Sequence, residues 1–366
     1  MRRREKKLIV ILSGGGAKTA FQVGAWNRIL NKGLFIDGKQ TKVTIPNAVF
    51  GVSGGAINGA MIAMGKSKEL MKFWNFVAGK PNEIYTSTFL RQENNKIALD
   101  TEAIFKYLLS DINLFQKAGL LLKKSREKVL KRIMDKLSSI QGLASNKPLF
   151  EKLKSLVNLE DIKSELFQAG FVSLTDGKYH SIPHHEYSSN MEFQKSILAS
   201  SCIPAIWSPV GSIKNNRYET TNLIDGGIRN ITPLGDAVKY VQNQDDNIDY
   251  HFLVISCHAP QLKVLTKKPS LMKTVSRGIY DIALDEIRDT DLKEFLRINS
   301  LVKQAKEKGV DLYHNNGKKL REFKIKVIQP SRELSFALDF SRTAIMDSFT
   351  HGFHQAEKVI YSPNWE

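Results

Sequence analysis

Apolar residues along this chain fall into two patterns: short unbroken runs closed by glycine, and longer stretches in which they return every three or four positions. The first run, within residues 7–12, is Leu8-Ile9-Val10-Ile11-Leu12, and it stops at Ser13-Gly14-Gly15-Gly16. A run this short, bounded by turn residues, fits a strand buried on both faces. Helical spacing follows over 17–30, through Phe21, Ala25 and Ile29 and through Trp26 and Leu30. A second run, Ala48-Val49-Phe50, leads into Gly51-Val52-Ser53-Gly54-Gly55 and then Ala56-Ile57-Asn58-Gly59-Ala60-Met61, whose small residues predict a tightly packed helix. Strand, loop, helix, strand, sharp turn, helix predicts an α/β fold with a mostly parallel central sheet and helices on both faces. Further strand-like runs stand at 171–174, 250–256 and 323–328, and helical periodicity at 284–308 and 342–360.

Between about 90 and 163 the strand signal stops and a helical region is predicted. Leu122, Val129, Ile133, Leu137 and Ile140 form an apolar stripe there, with Lys117, Lys123, Lys124, Arg126, Lys128, Lys131, Arg132 and Lys136 crowded around it. Such a helix either packs on the core by its stripe or lies on a membrane interface. No Pro/Gly/Ser-rich linker and no internal repeat interrupts the chain, so one domain over 1–366 is expected, its core at about 7–360 and a basic helical insertion at about 90–144.

Composition narrows the function. At 366 residues, 42% hydrophobic and 25% charged, the chain can bury a large core. Cys202 and Cys257 are too few for a disulfide framework and have no metal spacing, which fits a reducing, cytoplasmic setting without structural zinc. The start, Met1-Arg2-Arg3-Arg4-Glu5-Lys6-Lys7 before the first apolar run, has the outline of a signal peptide, but the run ends too soon and reads as a buried strand behind a basic tail. No apolar run approaches the ~18 residues of a membrane span, so a soluble or peripheral protein is expected. The net charge of +17 calls for an anionic partner. Zinc-finger spacing, an RNP-like aromatic signature and a helix-turn-helix are all missing, which leaves an anionic membrane surface ahead of specific nucleic acid.

Three glycine sites carry the candidate chemistry. Gly51-Val52-Ser53-Gly54-Gly55 fits G-x-S-x-G between strand and helix, an arrangement that exposes a serine hydroxyl and aims the first helical N–H groups at what it attacks. Gly14-Gly15-Gly16-Ala17-Lys18-Thr19 fails as a P-loop, which needs glycine at Leu12 and Ala17. As a dinucleotide loop it lacks glycine at Thr19, although Asp37 stands at about the right distance. As a cradle of backbone N–H groups for an oxyanion it fits, and both loops fall at the carboxyl edge of the sheet. Asp225-Gly226-Gly227 follows the strand-like Asn222-Leu223-Ile224; alone it is a tight turn, and beside the other two it is a candidate general base. His251 and His258 come later, so the order Ser53, Asp225, His258 would match an α/β-hydrolase triad, but that fold places several strands before its nucleophile and this chain places one strand-helix unit. A Ser-Asp dyad is the reading retained. An acyl-ester hydrolase or acyltransferase using a Ser-His arrangement, and a noncatalytic phosphate- or nucleotide-binding α/β module, are the alternatives.

The ordered set of glycine loop, early G-x-S-x-G and late Asp-Gly-Gly resembles the patatin-like phospholipases. Ser145-Asn146-Lys147-Pro148-Leu149, Ala199-Ser200-Ser201-Cys202-Ile203-Pro204-Ala205-Ile206-Trp207-Ser208-Pro209 and the acidic Asp285-Glu286-Ile287 are similar to segments of that family, and the resemblance covers most of 7–360, least at about 90–144. It implies a three-layer patatin-like fold and cleavage of fatty-acyl esters of phospholipids or lysophospholipids. It also implies Ser53 as nucleophile, Asp225 as base and Gly14, Gly15 and Gly16 as the oxyanion hole. Lys18, Gly51, Gly55, Gly226 and Gly227 would support the motifs, with no cofactor or metal. The family loop usually reads Gly-Gly-Gly-x-Arg/Lys-Gly, and here Thr19 stands at its last position.

Overall fold

The first apolar run is buried on both faces, and its alternation sets the layers. Val10 and Leu12 belong to one core cluster with Val49, Phe167 and Phe21, whereas Ile9 and Ile11 belong to another with Ala48, Phe50, Leu166 and Phe295. Successive side chains of a strand point to opposite faces, so a strand that is apolar throughout requires cover on both. The structure, a computed structural model, describes residues 5–93, 96–110, 123–244, 246–261, 264–266, 268–269, 274, 277–314 and 317–365.

The strands are β1 (Lys6–Leu12), β2 (Leu34–Ile36), β3 (Lys39–Thr41), β4 (Ala48–Val52), β5 (Leu90–Glu93), β6 (Lys96–Leu99), β7 (Leu166–Ser173), β8 (Tyr179–Pro183), β9 (Val210–Lys214), β10 (Glu219–Asp225), β11 (Asp249–Ile255) and β12 (Lys324–Ile328). Helices are α1 (Ala20–Lys32), α2 (Gly54–Ala63), α3 (Ser67–Val77), α4 (Thr101–Leu109), α5 (Lys123–Ser139), α6 (Lys147–Leu156), α7 (Asn190–Ser200), α8 (Leu234–Gln242), α9 (Leu284–Glu307) and α10 (Arg342–Ile360). In the central sheet β12, β11, β1, β4 and β7 run parallel in that order, and β10 and β9 continue it antiparallel. α1, α2, α3, α7 and α10 cover one face; α8 and α9 cover the other. This is the mostly parallel, helix-flanked α/β fold that the patterning predicts.

The expectation of no strands between about 90 and 163 is wrong at its start, because β5 and β6 form an antiparallel hairpin there. Each is four residues long, which allows two alternations of side chain and no legible period. β8 and β9 were also not expected. They lie beside better-buried strands and are themselves half-buried, so they lack an apolar run. Hydrogen bonds exchanged between Thr86 and Ser145, at 2.9 and 2.7 Å, close the segment holding the hairpin, α4 and α5 at its root. On α5 and just past its end the expected stripe is divided: Val129 is buried, Ile133 and Ile140 are half-buried, and Leu137 is exposed. Leu122 and Lys117 lie outside the described residues, as do Met1, Arg2, Arg3 and Arg4 of the basic tail. Among the described residues no helix is long and apolar enough to cross a membrane.

Candidate active site

Two strands that run toward each other bring the predicted serine and aspartate together. β8 occupies one edge of β7 along 168–172, so β4 and β10 share the other edge. β4 ascends it and ends with Val52 opposite Gly170; β10 descends it and ends with Asp225 opposite Phe171. Residue 53 and residue 225 therefore meet at neighbouring rungs. The Ser53 hydroxyl is near enough to the Asp225 carboxylate to favour its charged form, and Asp225 Oδ1 accepts the Gly227 N–H at 2.7 Å. Both side chains are buried, Ser53 at 4% exposure and Asp225 at 6%. Burial pushes the Asp225 carboxyl up to about 7, with the Ser53 hydroxyl and the Gly227 N–H opposing the rise.

Ser53 occupies φ 57°, ψ −131°, a left-handed conformation that costs a non-glycine residue on the order of 1–3 kcal/mol. The turn that imposes it is built on two close approaches. A Cβ on Gly51 would lie 2.4 Å from the Gly55 carbonyl oxygen, and one on Gly55 would lie 2.4 Å from that of Ser13, so neither position admits a side chain. The Ser53 N–H donates to Ser200 Oγ at 2.9 Å, and Ser200 Oγ donates to the Gly170 carbonyl at 2.5 Å. Ser200 thus fills the gap where the partner of β7 changes from β4 to β10. The Asp225 N–H donates to the Cys202 carbonyl at 2.9 Å, which ties the aspartate to the same loop. Gly226 lies against the backbone of Gly170, and Gly227 supplies the N–H that holds Asp225.

β1 ends beside β4, with Leu12 opposite Gly51, so the glycine loop lies next to Ser53 as expected. The three glycines are not equivalent. The Gly14 N–H donates to the Ile231 carbonyl at 2.8 Å, which corrects the expectation that all three face an oxyanion. The Gly15 and Gly16 N–H groups have no partner among the described residues, nor does that of Gly54, the first helical residue after the serine. These three are the open donors. Thr19 adopts an ordinary helical φ of −70°, so this position needs no glycine; its Oγ1 donates to the Gly16 carbonyl at 2.7 Å. Lys18 is half-buried and forms no ion pair among the described residues.

The histidines separate. His251 is buried at the amino-terminal end of β11, with its ring edge-on to Trp365 and its Nε2 3.8 Å from Asp37. His258 lies beside the glycine loop, where its Nε2 is 2.9 Å from the Gly14 carbonyl. Neither is a partner of Asp225. Ser200, Cys257 and the pocket wall are the functional neighbours that sequence reasoning missed, since each acts through a contact distant in the chain.

A narrow apolar pocket opens at Ser53, walled by Ile57, Phe73, Trp74, Ile203, Trp207 and Phe340. Trp74 and Phe340 stack with ring centroids 6.5 Å apart. A second cavity, about 420 Å³, lies at the amino-terminal edge of the sheet, lined by Asp37, Lys303, Lys324 and Trp365 and by neither Ser53 nor Asp225. Its walls mix both signs of charge, so the catalytic reading rests on the smaller pocket.

The sequence profile described as patatin-like phospholipase matches residues 10–238. Among solved structures, VipD from Legionella pneumophila aligns at 15% identity and a TM-score of 0.41, over 97% of this chain and 67% of its own. The complex of full-length SpcU with full-length ExoU from the type III secretion system of Pseudomonas aeruginosa aligns at 13% identity and a TM-score of 0.30, over 98% of this chain and 54% of the matched one. No curated protein matches the sequence.

Proposed function

The chain belongs to the patatin-like phospholipase family, and from that premise we propose that it is a serine lipid acyl hydrolase with Ser53 as nucleophile and Asp225 as general base. The observation that carries this reading is the meeting of the two at neighbouring rungs of β7, both side chains buried. Ser53 Oγ–H gives its proton to Asp225 as Oγ bonds to the ester carbonyl carbon, and the carbonyl oxygen takes up negative charge in front of the Gly15, Gly16 and Gly54 N–H groups. The carbon–oxygen bond to the leaving alcohol then breaks, the alcohol taking the proton from Asp225, and the acyl group remains on Ser53. Water next gives a proton to Asp225 and attacks the acyl carbon; fatty acid leaves and Ser53 regains its proton. General-base assistance contributes roughly 10²–10⁴ in rate and each oxyanion donor roughly 10²–10³. No cofactor or metal enters the scheme.

The mostly apolar pocket at Ser53 supports a fatty-acyl chain as the group transferred, and hence a phospholipid or lysophospholipid ester as substrate. A Ser53-Asp225-His258 triad has less support. A ring nitrogen that bonds a carbonyl oxygen must carry hydrogen, so His258 Nε2 is committed as a donor to Gly14. Transient contact with an anionic membrane surface belongs to the same proposal. Leu130, Met134 and Leu137 are exposed on one face of α5, and Lys128, Lys131 and Arg132 are exposed on the same helix.

A panel of diacyl phospholipid, lysophospholipid and neutral ester, assayed with wild type and Ser53→Ala, tests the reading. Fatty-acid release and labelling by a fluorophosphonate should both occur in the wild type and both disappear in the folded variant. Hydrolysis surviving in folded Ser53→Ala would overturn it, and a wild type that neither hydrolyses nor labels would favour a noncatalytic module.

A further inference from the structure

The proposed oxyanion hole is built from the least constrained residues in the chain. Gly15 and Gly16 stand at φ 153° and φ 55°, and glycine by itself offers no side chain to hold a peptide plane in one orientation. The restraint has to come from outside the loop. A trans peptide is planar with its C=O and N–H pointing in opposite directions, so whatever grips the Gly14 carbonyl also aims the Gly15 N–H.

Two side chains grip that carbonyl. Cys257 Sγ donates to Gly14 O at 2.8 Å, and His258 Nε2 donates to it at 2.9 Å. Both residues leave the end of β11, which lies beside β1, and the Cys257 N–H donates to Ser13 Oγ at 3.0 Å. The contact is close: a Cβ on Gly15 would lie 2.2 Å from Cys257 Sγ. The following peptide is held in the same sense, since the Gly15 carbonyl accepts the Lys18 N–H at 3.1 Å. Gripping both carbonyls turns the Gly15 and Gly16 N–H groups each away from its gripped carbonyl.

We propose that His258, with Cys257, is a positioning residue for the oxyanion hole: by donating to the Gly14 carbonyl it fixes the Gly14-Gly15 peptide plane and directs the Gly15 N–H at the developing oxyanion. This rests on the reading of Ser53 as nucleophile. Donation to the carbonyl also polarises the amide, which strengthens its N–H as a donor. The histidine after Asp225 therefore acts on the oxyanion side of the reaction, and the proton traffic remains with Asp225. Its loss leaves the donor present but free to turn, so the effect is smaller than removal of an oxyanion donor outright.

The test compares His258→Phe, which deletes the donor, with His258→Gln, whose amide nitrogen reaches a similar position. Expected for His258→Phe is a fall in kcat of roughly 10- to 100-fold with KM changed by less than about threefold, and an equal loss of affinity for a fatty-acyl trifluoromethyl ketone, which binds as the oxyanion. His258→Gln should recover most of both, and the midpoint of the pH-rate profile should stay where the wild type has it in both variants. Cys257→Ala, which removes the second donor, should lower kcat by roughly tenfold and serves as the test if His258→Phe does not fold. The proposal is overturned if kcat and ketone affinity are unchanged, or if glutamine restores neither. It is also overturned if His258→Phe falls to the level of Ser53→Ala and loses the wild-type pH midpoint, which would make His258 a base. Failure of the Ser53 reading looks different, because Ser53→Ala would then keep its activity and the wild type would resist the fluorophosphonate.

Discussion

Asp225 is costly to bury and useful for that reason. In an unfolded chain its carboxyl ionises near 3.8, and in the folded protein near 7. Between those values the unfolded state gives up the proton and the folded state keeps it, so this group lowers stability as pH rises, by up to about 4 kcal/mol above pH 7. Asn keeps the oxygen that accepts from Gly227 and cannot ionise. Asp225→Asn should therefore lose ester hydrolysis yet melt at a higher temperature than wild type at pH 8, the two converging toward pH 4. A melting difference that does not change with pH would contradict this assignment. In the proposed mechanism the sign is opposite, because the carboxylate would be the working form. The value of kcat/KM should rise about tenfold per pH unit below 7 and level off above it.

Among the elements, β7 and α5 answer different questions. β7 accepts β4 and β10 end to end on one edge, and this head-on meeting brings Ser53 and Asp225 together, with Ser200 bridging the point where they stop. The sequence announced the two halves, G-x-S-x-G and Asp-Gly-Gly, because each is a tight turn that demands particular residues locally. It did not announce Ser200 or the commitment of the Gly14 N–H to Ile231, since both depend on partners at long separation. α5 was legible as basic and amphipathic, but which apolar residues it buries was not: Val129 turns inward, and Leu130, Met134 and Leu137 remain in solvent. Replacing Leu130 and Met134 by Gln should weaken binding to anionic vesicles severalfold and leave hydrolysis of a water-soluble short-chain ester within about twofold, since each buried CH₂ contributes about 0.8 kcal/mol to insertion. Equal loss in both assays would place α5 in the catalytic machinery instead.

At the scale of the whole molecule, the excess of 54 Lys and Arg over 37 Asp and Glu makes attraction to an anionic surface a long-range property. Each basic residue near such a surface contributes about 1 kcal/mol, and the contribution falls away within a Debye length of about 10 Å at 0.1 M salt. Vesicle binding should strengthen with the fraction of anionic lipid and drop at least tenfold between 0.05 and 0.5 M salt. Binding indifferent to both would show that the charge is merely solvated surface. By itself the sequence determined what local physics dictates. Those features are buried parallel strands from unbroken apolar runs, the α/β class from their alternation with helices, and the elbow and Asp-Gly-Gly turn from glycine's spacing. Tertiary structure alone decided that β4 and β10 converge on one edge of β7, that burial lifts Asp225 toward neutrality, and that His258 grips the glycine loop. These are relations between residues about fifty to more than two hundred positions apart, and such relations come from strand order and packing, which no local pattern encodes.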